Sequence, residues 1–295
     1  MLNENASPQL LGLLRIVVFG LWLANVTMVH LEDVAAMPID MLTGYGVLWL
    51  IPQPVWQAMW DPAALSVLKA VLVVALAWLI LGLPRYQAVA IVACILITIF
   101  DGMEKSLGHI NHSKMLMLYS AYVLAAFPSA DAVSLAPRRA PPARPVMYAA
   151  PVVAISLLIM VAYSMIGSFR IGRSGPGIFF GDGLETWFLK RSYEDNSTGF
   201  RIGIYVVEHA YLLALAKLGF LVTGILEVLS PLCLVSRWFR YAWIPTMLAF
   251  HCFSLLTMNI FFWQNAILIL LVMTDCDAWV RARLGGGRAP APAVG

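Results

Sequence analysis

Eight runs of apolar residues, each close to the length that crosses a bilayer, decide what this chain can fold into. A hydrocarbon core about 30 Å thick is spanned by ~20 helical residues. Inside it every backbone N–H and C=O must be satisfied within the segment, so such runs are read as helices. They cover roughly residues 10 to 30, 64 to 83, 86 to 103, 113 to 128, 146 to 168, 210 to 235, 242 to 257 and 260 to 275. The fourth, seventh and eighth are short, which leaves a re-entrant reading of any pair of them open. Composition agrees: 61% of the residues are hydrophobic and 12% charged, against ~25% charged in a soluble domain. The expected fold is an all-α polytopic transmembrane helical bundle of about eight spans. It occupies residues 1 to 279 as one domain, and residues 280 to 295, rich in Gly, Ala and Pro, form a disordered cytoplasmic tail.

The run from Leu10 to Val29 is longer than a signal-peptide core, carries Arg15 inside it and has no basic segment before it. It therefore reads as a retained first span. Orientation follows from Lys and Arg in short loops, which stay on the cytoplasmic side. An N-in, C-in arrangement places Arg85, Arg138, Arg139, Arg144, Arg237, Arg240, Arg281, Arg283 and Arg288 inside. The first outer loop, residues 31 to 63, then holds Glu32, Asp33, Asp40 and Asp61 and no Lys or Arg. The loop from 169 to 209 runs against this rule, because Arg170, Arg173, Lys190, Arg191 and Arg201 would lie outside. Residues 40 to 61, with Trp49, Trp56 and Trp60, read as an aromatic interfacial or re-entrant piece on the outer face, and Pro137 to Pro145 as a stiff basic linker.

Several function classes drop out at this stage. The net charge is +3, with basic residues scattered through loops and no stripe, so no nucleic-acid partner is expected. The four cysteines, Cys94, Cys233, Cys252 and Cys276, form no C-x-x-C and no disulfide framework. What remains is intramembrane polar chemistry. The topology puts His30, His109, His112, His209 and His251 in the outer half or at the midplane, together with Asp101, Glu104, Lys105, Asn111, Lys114, Arg170 and Glu208. Ionisable groups at such depth are costly unless paired or hydrated, so their gathering is read as an outer-leaflet cavity. Against this stands the plain alternative that residues near span ends snorkel to the headgroups. A bis-histidine haem lacks a repeated histidine pattern, and H-x-x-H at His109 and His112 lacks the glutamate of a zinc motif, so no metal is assigned. Glu227, four residues before Pro231, is placed toward the inner half of the sixth span. There it is protonated, paired with a base on another helix, or hydrogen-bonded into the bundle.

Taken together, a series of strings resembles a known family. They are Leu14-Arg15-Ile16, Asn111-His112-Ser113-Lys114-Met115-Leu116 with Pro128, Tyr163 to Gly167 and Arg170, Gly181 to Leu184, Glu227 with Pro231, and Phe250-His251 followed by Asn259-Ile260-Phe261-Phe262. In order and spacing, across about residues 10 to 279, they resemble the HTTM family, the horizontally transferred transmembrane domain that forms the membrane part of vitamin K-dependent gamma-carboxylase. The resemblance implies a pocket for a quinone, a base that takes a hydroquinone proton and donors for the resulting oxyanion. It also implies a lysine base near the end of the Tyr-x-x-x-Gly segment, a position that here is Arg170. A guanidinium keeps its proton, so epoxidation through that base is not expected. Carboxylation of a protein substrate is not expected either, since the chain stops soon after the last span.

Three functions follow as expectations. The first is a membrane enzyme acting on a quinone-like or lipidic substrate. His112 and His251 would be its proton-transfer or hydrogen-bonding groups, Arg170 its anion clamp, and Asn111, Lys114, Tyr163 and Glu227 its ligand-binding positions. The second is a non-catalytic membrane partner or scaffold, for example in maturation of a secreted peptide, which some bacterial members of the family serve. The third, a small-solute transporter, lacks the inverted repeats and broken midplane helices typical of that class.

Overall fold

The computed structural model describes residues 6–35, 37–38, 44, 46–106, 114–136, 144–175, 177–193, 199–260 and 262–284. Among them all regular structure is helical. In chain order the helices are α1 (Pro8–Met28), α2 (Leu31–Val34), α3 (Gln53–Met59), α4 (Pro62–Leu81), α5 (Tyr86–Lys105), α6 (Met115–Ala126), α7 (Val146–Ser174), α8 (Gly177–Phe180), α9 (Gly183–Tyr193), α10 (Ile202–Glu208), α11 (Ala210–Val228), α12 (Arg237–Met258), α13 (Trp263–Met273) and α14 (Asp277–Leu284). Short 3-10 turns occupy Gly46–Leu50 and Ser230–Leu234. The chain divides inside α7 into two compact units, Asn3–Ile155 with Asp275–Gly295, and Ser156–Thr274.

Among the described residues six stretches are long and apolar enough to cross a membrane: Pro8–Asp33, Pro62–Leu81, Tyr86–Lys105, Val146–Gly172, Ala210–Val228 and Arg237–Met258. The fourth and eighth expected spans become α6 and α13, of 12 and 11 residues. At 1.5 Å per residue they rise only about 18 and 17 Å, little more than half the hydrocarbon thickness. The seventh, expected to be short, is a 22-residue helix. Its first turn contains Arg237 and Arg240, which a reading by hydropathy trims away. The outward surface of α4 is aliphatic: Val67, Val71 and Val74 are largely exposed, and only 22% of the helix's most apolar window is buried. On α5, Ile91, Val92 and Ile95 are likewise exposed. Hydrocarbon solvates such faces, whereas water would drive them together.

Local chemistry sets the helix ends. Ser7 caps α1 by accepting from the Leu10 N–H, and Asp61 caps α4 by accepting from Ala63 and Ala64; each is followed by a proline suited to the first turn. α12 starts under Ser236, which accepts from Phe239 N–H at 3.2 Å, and stops at Asn259 in the left-handed region. There the Ile260 N–H turns back to the Ser254 carbonyl. In the first unit, α1 buries Leu10, Leu11, Leu14, Val18, Trp22 and Val26 among its neighbours. Asp277 of α14 accepts from the Ser7 N–H and hydroxyl at 2.9 and 2.5 Å. Of the tail expected to be disordered, 280 to 295, the first five residues continue helix α14 to Leu284, and 285–295 lie outside the described residues. Of the interfacial tryptophans, Trp49 is 83% exposed, whereas Trp56 and Trp60 are buried against each other at 5.4 Å. Most of the Pro137–Pro145 linker falls outside the described residues.

Cys233, in the 3-10 turn after α11, is a free thiol that burial pushes up to about 12, with Arg240 only partly opposing the shift. Since thiolate is the reactive form, the folded protein is expected to leave Cys233 unmodified by N-ethylmaleimide at pH 8. Denaturation should expose it, as peptide mass spectrometry would show; labelling at equal rates in both states would contradict this burial.

Candidate functional site

The second unit is organised by a close crossing of α7 and α11. A Cβ at Gly167 would lie 2.7 Å from Glu227 Cβ and from the Val228 nitrogen, so only glycine lets the backbones approach this far. The Ser164 hydroxyl donates to the Val228 carbonyl at 3.1 Å, and the Ser230 hydroxyl to the Met160 carbonyl at 2.8 Å. These contacts fix an antiparallel register. One turn beyond Gly167, Arg170 places Nη1 3.0 Å from Glu227 Oε2, with the Glu227 side chain only 2% exposed. The two atoms lie at contact distance without the angular alignment of a hydrogen bond, so their attraction is chiefly coulombic. The guanidinium also rests over the rings of Phe220 and Phe250, at 4.7 and 5.2 Å, where cation–π attraction adds to the ion pair.

α12 joins this crossing through Trp243, whose indole N–H donates to the Leu226 carbonyl at 3.1 Å. The Tyr163 ring meets Trp243 edge-on at 5.2 Å, and its hydroxyl shares a 2.6 Å hydrogen bond with His251 Nε2. His251 is 3% exposed, is bordered by Phe250 and Phe262 at 5.9 and 5.8 Å, and its Nδ1 has no partner. Chemically this is a phenol–imidazole couple with one open nitrogen, set beside an electroneutral ion pair and walled by aromatic rings.

Four of the seven sequence-predicted site residues, Tyr163, Arg170, Glu227 and His251, thus belong to one assembly in this unit. Glu227 is paired with a base on another helix, one of the three states expected of it. The expected sixth span includes 229 to 235, but the chain leaves the α-helix at Val228 for the Pro231-containing 3-10 turn, putting Glu227 in the last turn of α11. Lys114 lies in the first unit, at the N-cap of α6, and ion-pairs with Glu104, which Asn25 approaches at 3.5 Å. Close in sequence, Lys105 and Asp101 form a buried pair at 2.5 Å. Asn111 and His112 lie outside the described residues, as does His109. His30 is exposed beside Glu32 and Lys69, and His209 is half-buried, stacked on Tyr205 at 4.1 Å. The described histidines therefore sit in three different surroundings, and only His251 is buried.

Sequence reasoning missed the aromatic walls, Phe220 and Trp243, which look like ordinary span residues. It also missed Ser254, one turn from His251, and Gln264 with Asn265 at the start of α13. All three are buried with an unpartnered side-chain oxygen. Polar side chains on the buried stripe of an apolar helix were the available signal. Among the described residues no three His, Cys, Asp or Glu side chains gather as metal ligands.

Helices of spanning length with aliphatic outward faces define the chain as an all-α integral membrane protein. No family model, curated protein or solved structure matches it.

Proposed function

We propose that this is a multi-pass cell-membrane enzyme of HTTM type, acting on a quinone-like or lipidic substrate held against the Tyr163–His251 couple. The observation that carries the reading is the unpartnered Nδ1 of a deeply buried histidine whose other nitrogen is fixed by a tyrosine. Substitution of arginine for the family's lysine removes that base, and the imidazole takes its place. A substrate hydroxyl transfers its proton to Nδ1, its O–H bond breaks as the N–H bond forms, and the resulting imidazolium donates its Nε2–H to the Tyr163 oxygen. Arg170, against the same Phe250 ring as His251, supplies fixed positive charge that favours the substrate oxyanion. Glu227 keeps that charge in place.

The test is a spectral and mass-spectrometric inventory of small molecules that copurify in mild detergent. Wild type should carry a stoichiometric quinone or lipid. His251→Gln should lose turnover by about a hundredfold or more, the range for a general base, and Tyr163→Phe should retain the ligand with slowed turnover. An empty wild-type protein whose cellular activity survives both substitutions would reject the enzyme. The alternative would then stand: a non-catalytic partner in secreted-peptide maturation, docking on the exposed Trp49 and Leu50.

A further inference from the structure

α13 begins without a cap. Its N-cap residue is Phe262, which has no side-chain acceptor, and the N–H of Ala266 is the first to reach back to a carbonyl, that of Phe262 at 3.1 Å. The N–H groups of Trp263, Gln264 and Asn265 therefore have no helical acceptor and carry the positive end of the helix dipole. In water such an end is solvated; here it is buried. Gln264 and Asn265 are each 8% exposed, and their side-chain oxygens have no partner. Helical side chains lean toward the N-terminus, so both amides lie over the open turn. A half-rotation of either amide about its terminal torsion presents N–H instead of oxygen, at little cost.

A second element converges on this turn. The Phe262 ring packs on the His251 ring at 5.8 Å, which brings the start of α13 beside the stripe of α12 that carries His251 and Ser254. His251 Nδ1 and the Ser254 hydroxyl are both more than nine-tenths buried and unpartnered. Phe250 and Phe253 on α12 and Leu268 and Ile269 on α13 are apolar, the last two fully buried. Unpartnered polar atoms on four buried side chains, with three N–H groups lacking a helical acceptor, are costly to leave unmatched.

We infer that the first turn of α13 is a binding site for the carboxylate of an apolar-tailed amphiphile. The oxygens would be held by the Gln264 and Asn265 N–H groups and side-chain amides, with the Ser254 hydroxyl on the facing helix. A helix N-terminus suits an anion, and a carboxylate accepts on both oxygens, which engages several donors at once. The tail lies along the apolar residues that follow. This deepens the proposed function by naming a second polar group of its ligand, apart from the hydroxyl at His251, and it rests on reading this unit as a ligand-binding one.

The probe is 2-bromododecanoate, whose bromine, next to the carboxylate, quenches tryptophan emission at contact; Trp263 stands in the first turn. Titrated into the full-length protein in maltoside detergent, it should quench saturably, and its methyl ester should not. Asn265→Asp puts a fixed carboxylate into the turn, which suits an α-helix start and preserves the fold. It should weaken binding by about tenfold or more, the scale of a lost dipole–anion contact plus repulsion. If turnover fails while dodecanoate binding persists, the enzyme reading falls and this site stands. Equal quenching by acid and ester, no saturable quenching at all, or undiminished binding to Asn265→Asp would overturn the site.

Discussion

Replacing Glu227 with leucine is expected to lower stability by about 3–5 kcal/mol, while replacing both Glu227 and Arg170 with leucine restores most of the loss. Two facts produce this asymmetry. The carboxylate is 2% exposed and Arg170 is its ion-pair partner at 3.0 Å, so removing it leaves a guanidinium in an apolar setting with only the faces of Phe220 and Phe250. Removing both charges deletes the desolvation cost along with the attraction, and leucine suits the aromatic surroundings. The Arg170→Leu single variant should be the mirror case, losing a similar amount. A double-mutant cycle, read from reversible unfolding in mixed SDS and maltoside micelles, checks it. A double variant no more stable than the worse single one would mean that the pair is not the unit that matters. The same cycle separates structure from function. The stable double variant should still fold but turn over poorly if Arg170 acts on the substrate oxyanion.

The membrane class was legible because burial in lipid imposes one rule on every span, and runs of ~20 apolar residues state it directly. Helix limits were less legible where composition and geometry disagree. Arg237 and Arg240 belong to α12, yet their charge reads as loop. Pro231 follows an apolar stretch that looks like one long span, yet the chain changes there to a 3-10 turn. Within the site, chemistry could be guessed residue by residue, since buried Tyr, Arg, Glu and His are costly unless they meet. Which of them meet could not. Tyr163 finds His251 across 88 positions, and that pairing depends on the α7–α11 register, set by Gly167, Ser164 and Ser230 in ways no local pattern announces. The uncapped start of α13 was hidden for a different reason. Gln264 and Asn265 fall within the apolar run 260 to 275, where nothing in the sequence marks them as buried with unpartnered oxygens.

Arg15→Leu is expected to cost about 3–5 kcal/mol, by leaving buried carbonyls without a donor. This guanidinium is fully buried in α1 with no carboxylate partner shown; it donates instead to the carbonyls of Ser129, Ile80 and Val133 at 2.9, 3.3 and 2.5 Å. Ile80 lies in the last turn of α4, where unpaired carbonyls carry the negative end of the helix dipole and suit a cation. Ser129 and Val133 lie in the irregular stretch after α6, so one side chain ties three segments of the first unit together. Gly82 shows how closely they fit. It sits at φ +65°, and a Cβ there would lie 2.8 Å from Arg15 Nη1 and 2.7 Å from Ser134 Oγ. Arg15→Lys keeps the charge but has a single nitrogen, which cannot span all three carbonyls, so it should recover only part of the loss. Thermal unfolding in maltoside, followed by loss of helical ellipticity, should rank wild type above Lys and Lys above Leu. A leucine variant as stable as wild type would show that these carbonyls find other donors, and that the arginine is not what holds α1, α4 and the segment after α6 in register.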